Sequence, residues 1–316
     1  MKKKRFELQV DDRRAIVAAK RLAYSREGIN AVDFGYVYKR GERTNAVGLR
    51  FHVSQKRPLR EIPPENILPK DIHGIHTDVL VAAYALHGSF AVSTADTLQP
   101  GISIGNLMRT TTGTLGLIVR DVASGSKAVL SNWHVLCGSP DCTAGEQITH
   151  PGPLDSDQTS PSKVAELMRW TNLAHGYDAA TAKIVTDIGA SNDIPELHLN
   201  VAEIAEPHLG MHIEKVGIAS GTSHGVVDGV EGAYRMDYSP YGEAVYWMDG
   251  MHIVPDPTDP DHDLSLDGDS GAIWVDPQTE SAVGLHFGGE NPGSPLAEYA
   301  VAHRLSAVLQ LLQIQL

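Results

Sequence analysis

The chain has 316 residues, a formal net charge of −13, and 42% hydrophobic against 21% charged residues. That length and composition suit a globular protein of one large or two modest domains with a substantial core, and exclude a disordered chain. The acidic balance argues against nucleic acid or an anionic membrane surface as partner; the dense basic run, MKKKR at the start, is expected to be a solvated terminus.

In chain order, DDRRAIVAAKRLAYS places apolar residues at helical spacing behind an aspartate that could cap a helix. AVDFGYVY and AVGLRFHVSQ alternate with period two around KRGERTN, which predicts a β-hairpin. A proline-punctuated connector, EIPPENILP, leads to another short strand in HTDVLVAAY, so residues 1–88 are expected to form a small α+β unit. From residue 89 the pattern changes to short apolar or alternating runs divided by Gly, Pro, Asp and Ser, among them TGTLGLIVRD, KAVLSNWHVL, KVAELMRW, IEKVGIAS, AVYWMDGMHIV and SAVGLHFGG. Such spacing, with few helical patterns between, predicts an all-β sandwich or barrel over 89–316. The chain ends in RLSAVLQLLQI, whose leucines fall at helical spacing.

No apolar run approaches the roughly 18 residues that a membrane span needs, and the N-terminus lacks the apolar core of a secretory signal. A cytoplasmic protein of bacterial style is therefore expected. Two cysteines, Cys137 and Cys142 in CGSPDC, are too few for a disulfide framework and are expected to be reduced; a small disulfide-closed loop or a metal pair stays open. The fifteen histidines show no metal-ligand spacing, so neither metal nor other cofactor is expected. The acidic loop VPDPTDPDHDLSLDGDS, with Asp256, Asp259, Asp261 and Asp263, lacks the EF-hand pattern and is expected to be solvated. GIASGTSHG lacks a phosphate-binding ending and is expected to be a tight β-turn.

The chemistry is concentrated in LSLDGDSGAIWV, residues 264–275, where Ser270 stands between glycines at −2 and +1. A turn of that kind exposes a hydroxyl and backbone N–H groups, as a nucleophile with an oxyanion site requires. A serine hydroxyl also needs a base, and the base an orienting carboxylate. His134 in VLSNWHVL and Asp178 in HGYDAATAKI suit those parts.

SNWHVL, DAATAKI and GDSGAIW, in that order and followed by GLHFGG, resemble the chymotrypsin-like (trypsin-fold) serine peptidases. RPLREIPPENILPKDIHGIHTDV and HPGPLDSD are similar to a bacterial branch with an N-terminal extension and to a plant leaf-shape regulator group. The resemblance implies a mainly β fold of two six-stranded antiparallel barrels over 89–316, behind an N-terminal unit that regulates access or builds a homo-oligomer. It implies that Ser270 is the nucleophile, His134 the general base and acid, Asp178 the orienting carboxylate, and the backbone N–H groups of Gly268 and Ser270 the oxyanion hole. Protein or peptide is then the substrate. Leu264 at the base of the specificity pocket disfavours cleavage after Arg or Lys, while Ser265 with His286 on the wall suggests Glu or Gln at P1. Phe287, Gly288 and Gly289 would pair with the substrate backbone. Two departures stand out. A serine that often supports the aspartate is missing near Phe287, so backbone donors are expected at Asp178. Asp269 matches an aspartate that pairs with a newly freed N-terminus in zymogen-type members, and the 88 residues ahead of the barrel argue against that switch here. The competing reading is a catalytically silent or latent trypsin-fold module that binds proteins.

Overall fold

In the computed structural model the described residues are 8–40, 42–86, 97–155, 160–259, 263–290 and 298–316. The basic start, Asp261 and the boundary expected at 88/89 lie outside them. The architecture is mainly β, built on two large sheets. The first contains Leu117–Asp121, Lys127–Ser131, Gln147–His150, Ser162–Trp170 and Ala180–Ile184, with short strands at each end. Its alternating sequences turn Ile148, Val164, Leu167 and Ala182 into one core with Trp133 and Leu136.

In the second sheet the pairings run from His212–Gly217 through Ile273–Asp276, Ser281–Glu290, Ala300–Arg304 and Val245–Pro255 to Gly221–Asp237. That last strand also pairs with the first, which closes a ring of six. Closure removes free edges. The turn over 218–220 between His212–Gly217 and Gly221–Asp237 is the tight β-turn expected of GIASGTSHG. The C-terminal leucines form the helix Leu305–Leu312, buried on Leu305, Val308, Leu309 and Leu312.

The N-terminal hairpin, Ile29–Lys39 with Glu42–Val53, is joined to this ring. The strand Gly221–Asp237 is 17 residues long; its first part pairs with His212–Gly217, and beyond that Ile29–Lys39 takes over the vacated edge. Ile75–Val81 adds in parallel to Glu42–Val53, and with the two-residue strands Asp71–Ile72, Tyr84–Ala85 and Glu203–Ile204 the sheet has twelve strands among the described residues. The helix Val10–Tyr24 buries Ala15, Ile16, Ala19 and Ala23 in the core of the ring. Its cap is Gln9 and not an aspartate: Asp12 accepts from the Gln9 N–H at 2.8 Å, one half of a capping box.

At the junction lies a fully buried ion cluster. Arg50 donates from Nε and Nη2 to Asp33 at 2.6 Å each, and from Nη1 to Asp228 of the ring. Tyr234 donates to Asp33 at 3.2 Å and Tyr38 to Asp228 at 3.3 Å. Burial pushes the Asp33 carboxyl up, but Arg50 outweighs it and holds the group well below the usual carboxylate range. Charges without water are tolerated only when paired in this way. Gly35 and Gly229 provide the room, since a Cβ on either would come within 2.4 Å of the Arg50 guanidinium.

Replacing Arg50 by Met strands two buried carboxylates. The expected cost is about 3–5 kcal/mol in denaturant unfolding, far above that of an exposed arginine.

Candidate active site

His134 and Asp178 reach each other because of how their strands end. Lys127–Ser131 runs into the short helix Trp133–Leu136, which carries His134; it pairs with Ala180–Ile184, whose N-terminal approach carries Asp178. His134 Nδ1 lies 2.5 Å from Asp178 Oδ2, and the His134 backbone N–H donates to Oδ1 at 3.1 Å. His134 Nε2 is buried and has no hydrogen-bond partner among the described residues.

Sequence reasoning expected backbone donors at Asp178, and one is present. It missed the side chains. Tyr238 donates its hydroxyl to Asp178 Oδ2 at 2.7 Å from the end of the long ring strand. Asn132 holds the Asp178 carbonyl at 2.7 Å, and His303 Nε2 accepts the Asp178 N–H at 2.9 Å. Phe287, near which the family's supporting serine is absent, stacks on His303 with ring centroids 4.0 Å apart and so supports the aspartate indirectly. No local motif announces Tyr238 or His303; both arrive from the second sheet. Burial raises the Asp178 carboxyl, yet His134 and Tyr238 bring it below the ordinary carboxylate value.

Ser270 sits in the turn before Ile273–Asp276, with Gly268 at φ 116° and Gly271 at φ 95°, conformations that favour glycine. Gly271 does more than let the next strand pack. A Cβ there would lie 2.1 Å from Ser131 Oγ and 2.2 Å from the Thr114 carbonyl, both in the first sheet. Thr114 in turn donates to the Gly268 carbonyl at 2.9 Å, and its N–H to the Ser270 carbonyl at 2.8 Å. The turn is clamped against the half of the molecule that carries His134.

Asp269 has its partner within the chain. Lys215 Nζ lies 2.7 Å from Asp269 Oδ2 and also donates to Ser220 and Ser223, at 2.8 and 3.3 Å, with no exposure to solvent. The backbone N–H groups of Leu266, Ala219 and Ser220 complete the carboxylate's shell. Burial raises Asp269, but Lys215 outweighs it and keeps the carboxyl far below the usual range.

Beside the turn, Ser265 Oγ and His286 Nε2 are 2.8 Å apart. Trp274 Nε1, which can only donate, faces His286 Nδ1 at 3.4 Å. That places the ring proton on Nε2. Leu264 is buried in the core of the ring next to Trp274 and Ile253. Gly288 and Gly289 occupy the last part of Ser281–Glu290. Of the acidic loop, Asp256 pairs with His212 and Asp259 with His224, each at 2.5 Å, so these two carboxylates are engaged with imidazoles instead of solvent alone. Cys137 and Cys142 are buried free thiols.

His303 is buried and donates from Nδ1 to the Asp249 carbonyl at 2.6 Å, so accepting the Asp178 N–H requires the neutral ring. Burial lowers its pKa from 6.5 to about 4. The unfolded chain then binds the extra proton between those values. Stability from this group is complete above about pH 6.5 and is lost as pH falls toward 4, by at most about 3 kcal/mol. Tm measured across this window should fall less steeply for His303→Gln than for the parent.

No protein-family model and no curated protein matches the chain at the sequence level. Solved structures do match its shape. A protease from Nocardiopsis (NAPase) aligns with a TM-score of 0.50 at 14% identity, over 69% of this chain and 98% of its own. Thermobifida fusca protease A gives 0.50 at 15%, over 69% and 97%. A glutamic acid-specific serine protease described as using a histidine triad in substrate binding gives 0.51 at 15%, over 69% and all of its own length. At such identities the likeness is one of fold, and the fold is that of the bacterial chymotrypsin-like serine proteases.

Proposed function

We propose that the protein is a serine endopeptidase. The observation that carries the reading is the His134–Asp178 contact of 2.5 Å, in a buried setting supplied with Tyr238 and placed in a fold that hosts serine proteases. Ser270 Oγ attacks the scissile carbonyl while His134 Nε2 takes its proton. The acyl-enzyme forms, and the same nitrogen delivers the proton to the departing amine. Water then adds by the same route and releases the acid. Asp178 holds the Nδ1–H tautomer and stabilises the imidazolium. The backbone N–H groups of Gly268 and Ser270 are assigned to the oxyanion, donors that are worth about 10²–10³ in turnover each. His134 Nε2 has no partner among the described residues, so the bond from Ser270 to His134 is assigned to the substrate complex, where such bonds form and tighten.

Asp269 fixes the turn through Lys215, a residue already inside the chain, which supports a nucleophile turn that forms without a freed N-terminus. For specificity, a neutral His286 with Nε2–H beside the Ser265 hydroxyl is a pair suited to an acceptor oxygen, so Glu or Gln is assigned to P1. The glutamic acid-specific neighbour is described with a histidine triad; here the ring next to His286 is Trp274. The assignment includes protein or peptide as substrate, an N-terminal unit with a regulatory or oligomerising role, and a cytoplasmic setting.

A fluorophosphonate probe should label the protein at Ser270 on prolonged incubation, and Ser270→Ala and His134→Ala should abolish labelling. A silent binding module would show no Ser270-dependent signal. In a P1 library, turnover should be highest for Glu or Gln; strongest cleavage after Arg or Lys would overturn the pocket assignment. Tyr238→Phe should lower kcat about tenfold or more with little change in KM, the loss expected for one hydrogen bond to a charged group.

A further inference from the structure

Ser281–Glu290 has two edges. Ala300–Arg304 covers one of them along residues 284–289. On the other, Ile273–Asp276 pairs up to Leu285, and the nucleophile turn continues that edge as His286 exchanges backbone bonds with Gly271 and Ala272. Past His286 this edge is where a peptide cut at Ser270 must lie. It is occupied. Tyr84–Ala85 pairs antiparallel with it, Ala85 opposite Gly289 and Tyr84 opposite Glu290.

The direction of the occupant matters as much as its place. From Tyr84 to Ala85 the chain moves from Glu290 toward Gly288, that is, toward the nucleophile turn. A peptide approaching Ser270 from its acyl side would run the same way. The Ala85 carbonyl sits where a Cβ on Gly288 would fall, at 2.5 Å, so the glycine is what allows the approach. Leu86 packs against the core that holds Trp133, Tyr238 and Phe287.

The segment is anchored. Ala82 is held by the Val53 carbonyl and by Asn30, at 3.0 and 2.8 Å. Ala83 donates to the Tyr299 hydroxyl at 2.9 Å and accepts from it. Tyr84 is buried, its hydroxyl 2.6 Å from His52 Nδ1 and its ring 5.0 Å from both Tyr234 and Tyr299. Meanwhile Ser270 is 0% and His134 2% exposed.

We propose that Tyr84–Leu86 is an intramolecular pseudo-substrate that fills the peptide-docking edge beside Ser270 and keeps the protein self-inhibited until the segment is displaced. Calling the effect inhibition rests on the endopeptidase reading; occupancy of the edge does not.

The test separates the two. In a Ser270→Ala background, binding of a fluorescein-labelled pentapeptide with the sequence of residues 82–86, AAYAL, is followed by anisotropy. Ala85→Pro removes a backbone donor from the segment, and Tyr84→Gly/Ala85→Pro also vacates the tyrosine's cavity. The double variant should bind the peptide at least tenfold more tightly than the parent, and a peptide with alanine for tyrosine should lose the gain. Equal binding by parent and variants, or none by either, overturns the proposal. Amide exchange on the parent needs no variant: protection at Gly289, the residue opposite Ala85, supports occupancy, and exchange there at the rate of an open edge overturns it. Fluorophosphonate labelling with Ser270 intact reports separately. Faster labelling in the double variant supports both readings, and tighter peptide binding without any labelling leaves the occupied edge standing while the endopeptidase assignment fails.

Discussion

The Arg50 guanidinium, sealed from water between Asp33 and Asp228, is the contact on which the arrangement of the chain depends. Two of its partners lie in different parts of the sequence, one in the hairpin and one in the ring. With both carboxylates paired to the guanidinium and no solvent to replace a lost partner, the hairpin cannot leave the ring without exposing or neutralising charge. The N-terminal strands thereby become a continuation of the second sheet. Ile75–Val81 is carried along in register with Glu42–Val53, and the chain is delivered at Tyr84 to the edge beside the Ser270 turn.

Much of the candidate site was legible because its residue types are demanding. A serine between glycines, a histidine at the end of an apolar strand and an aspartate before small residues are each common; together and in order they are rare. The structure puts His134 and Asp178 in contact and gives Gly268 the positive φ value that its identity suggested; Gly271, whose expected part was close packing of the next strand, has a positive φ as well. The strand patterns of the second half were legible for the same reason, since alternation with period two reports a face that must be buried.

What escaped the sequence was long-range. Tyr238, His303 and Lys215 act at the site from strands whose local patterns say only that they are β. A lysine or a tyrosine in an alternating run gives no hint of the carboxylate it will meet. The role of Arg50 was hidden similarly, because its two acidic partners are 17 and 178 positions away. The helix cap was displaced from an aspartate to Gln9 because the reciprocal bond of Asp12 defines the first turn two residues earlier than a cap at Asp11 would.

Gly271 adds a mechanical constraint of its own. At this point the two sheets approach so closely that the Ser270 turn has room for no more than a hydrogen atom on Gly271 beside Ser131 and Thr114. Ser270 belongs to one half of the molecule and His134 to the other, so this spacing sets how the two halves sit against each other at the turn. Any wedge at that seam, even a methyl group, would widen the gap while leaving each sheet's own core largely intact, so that the loss of alignment would precede the loss of the fold.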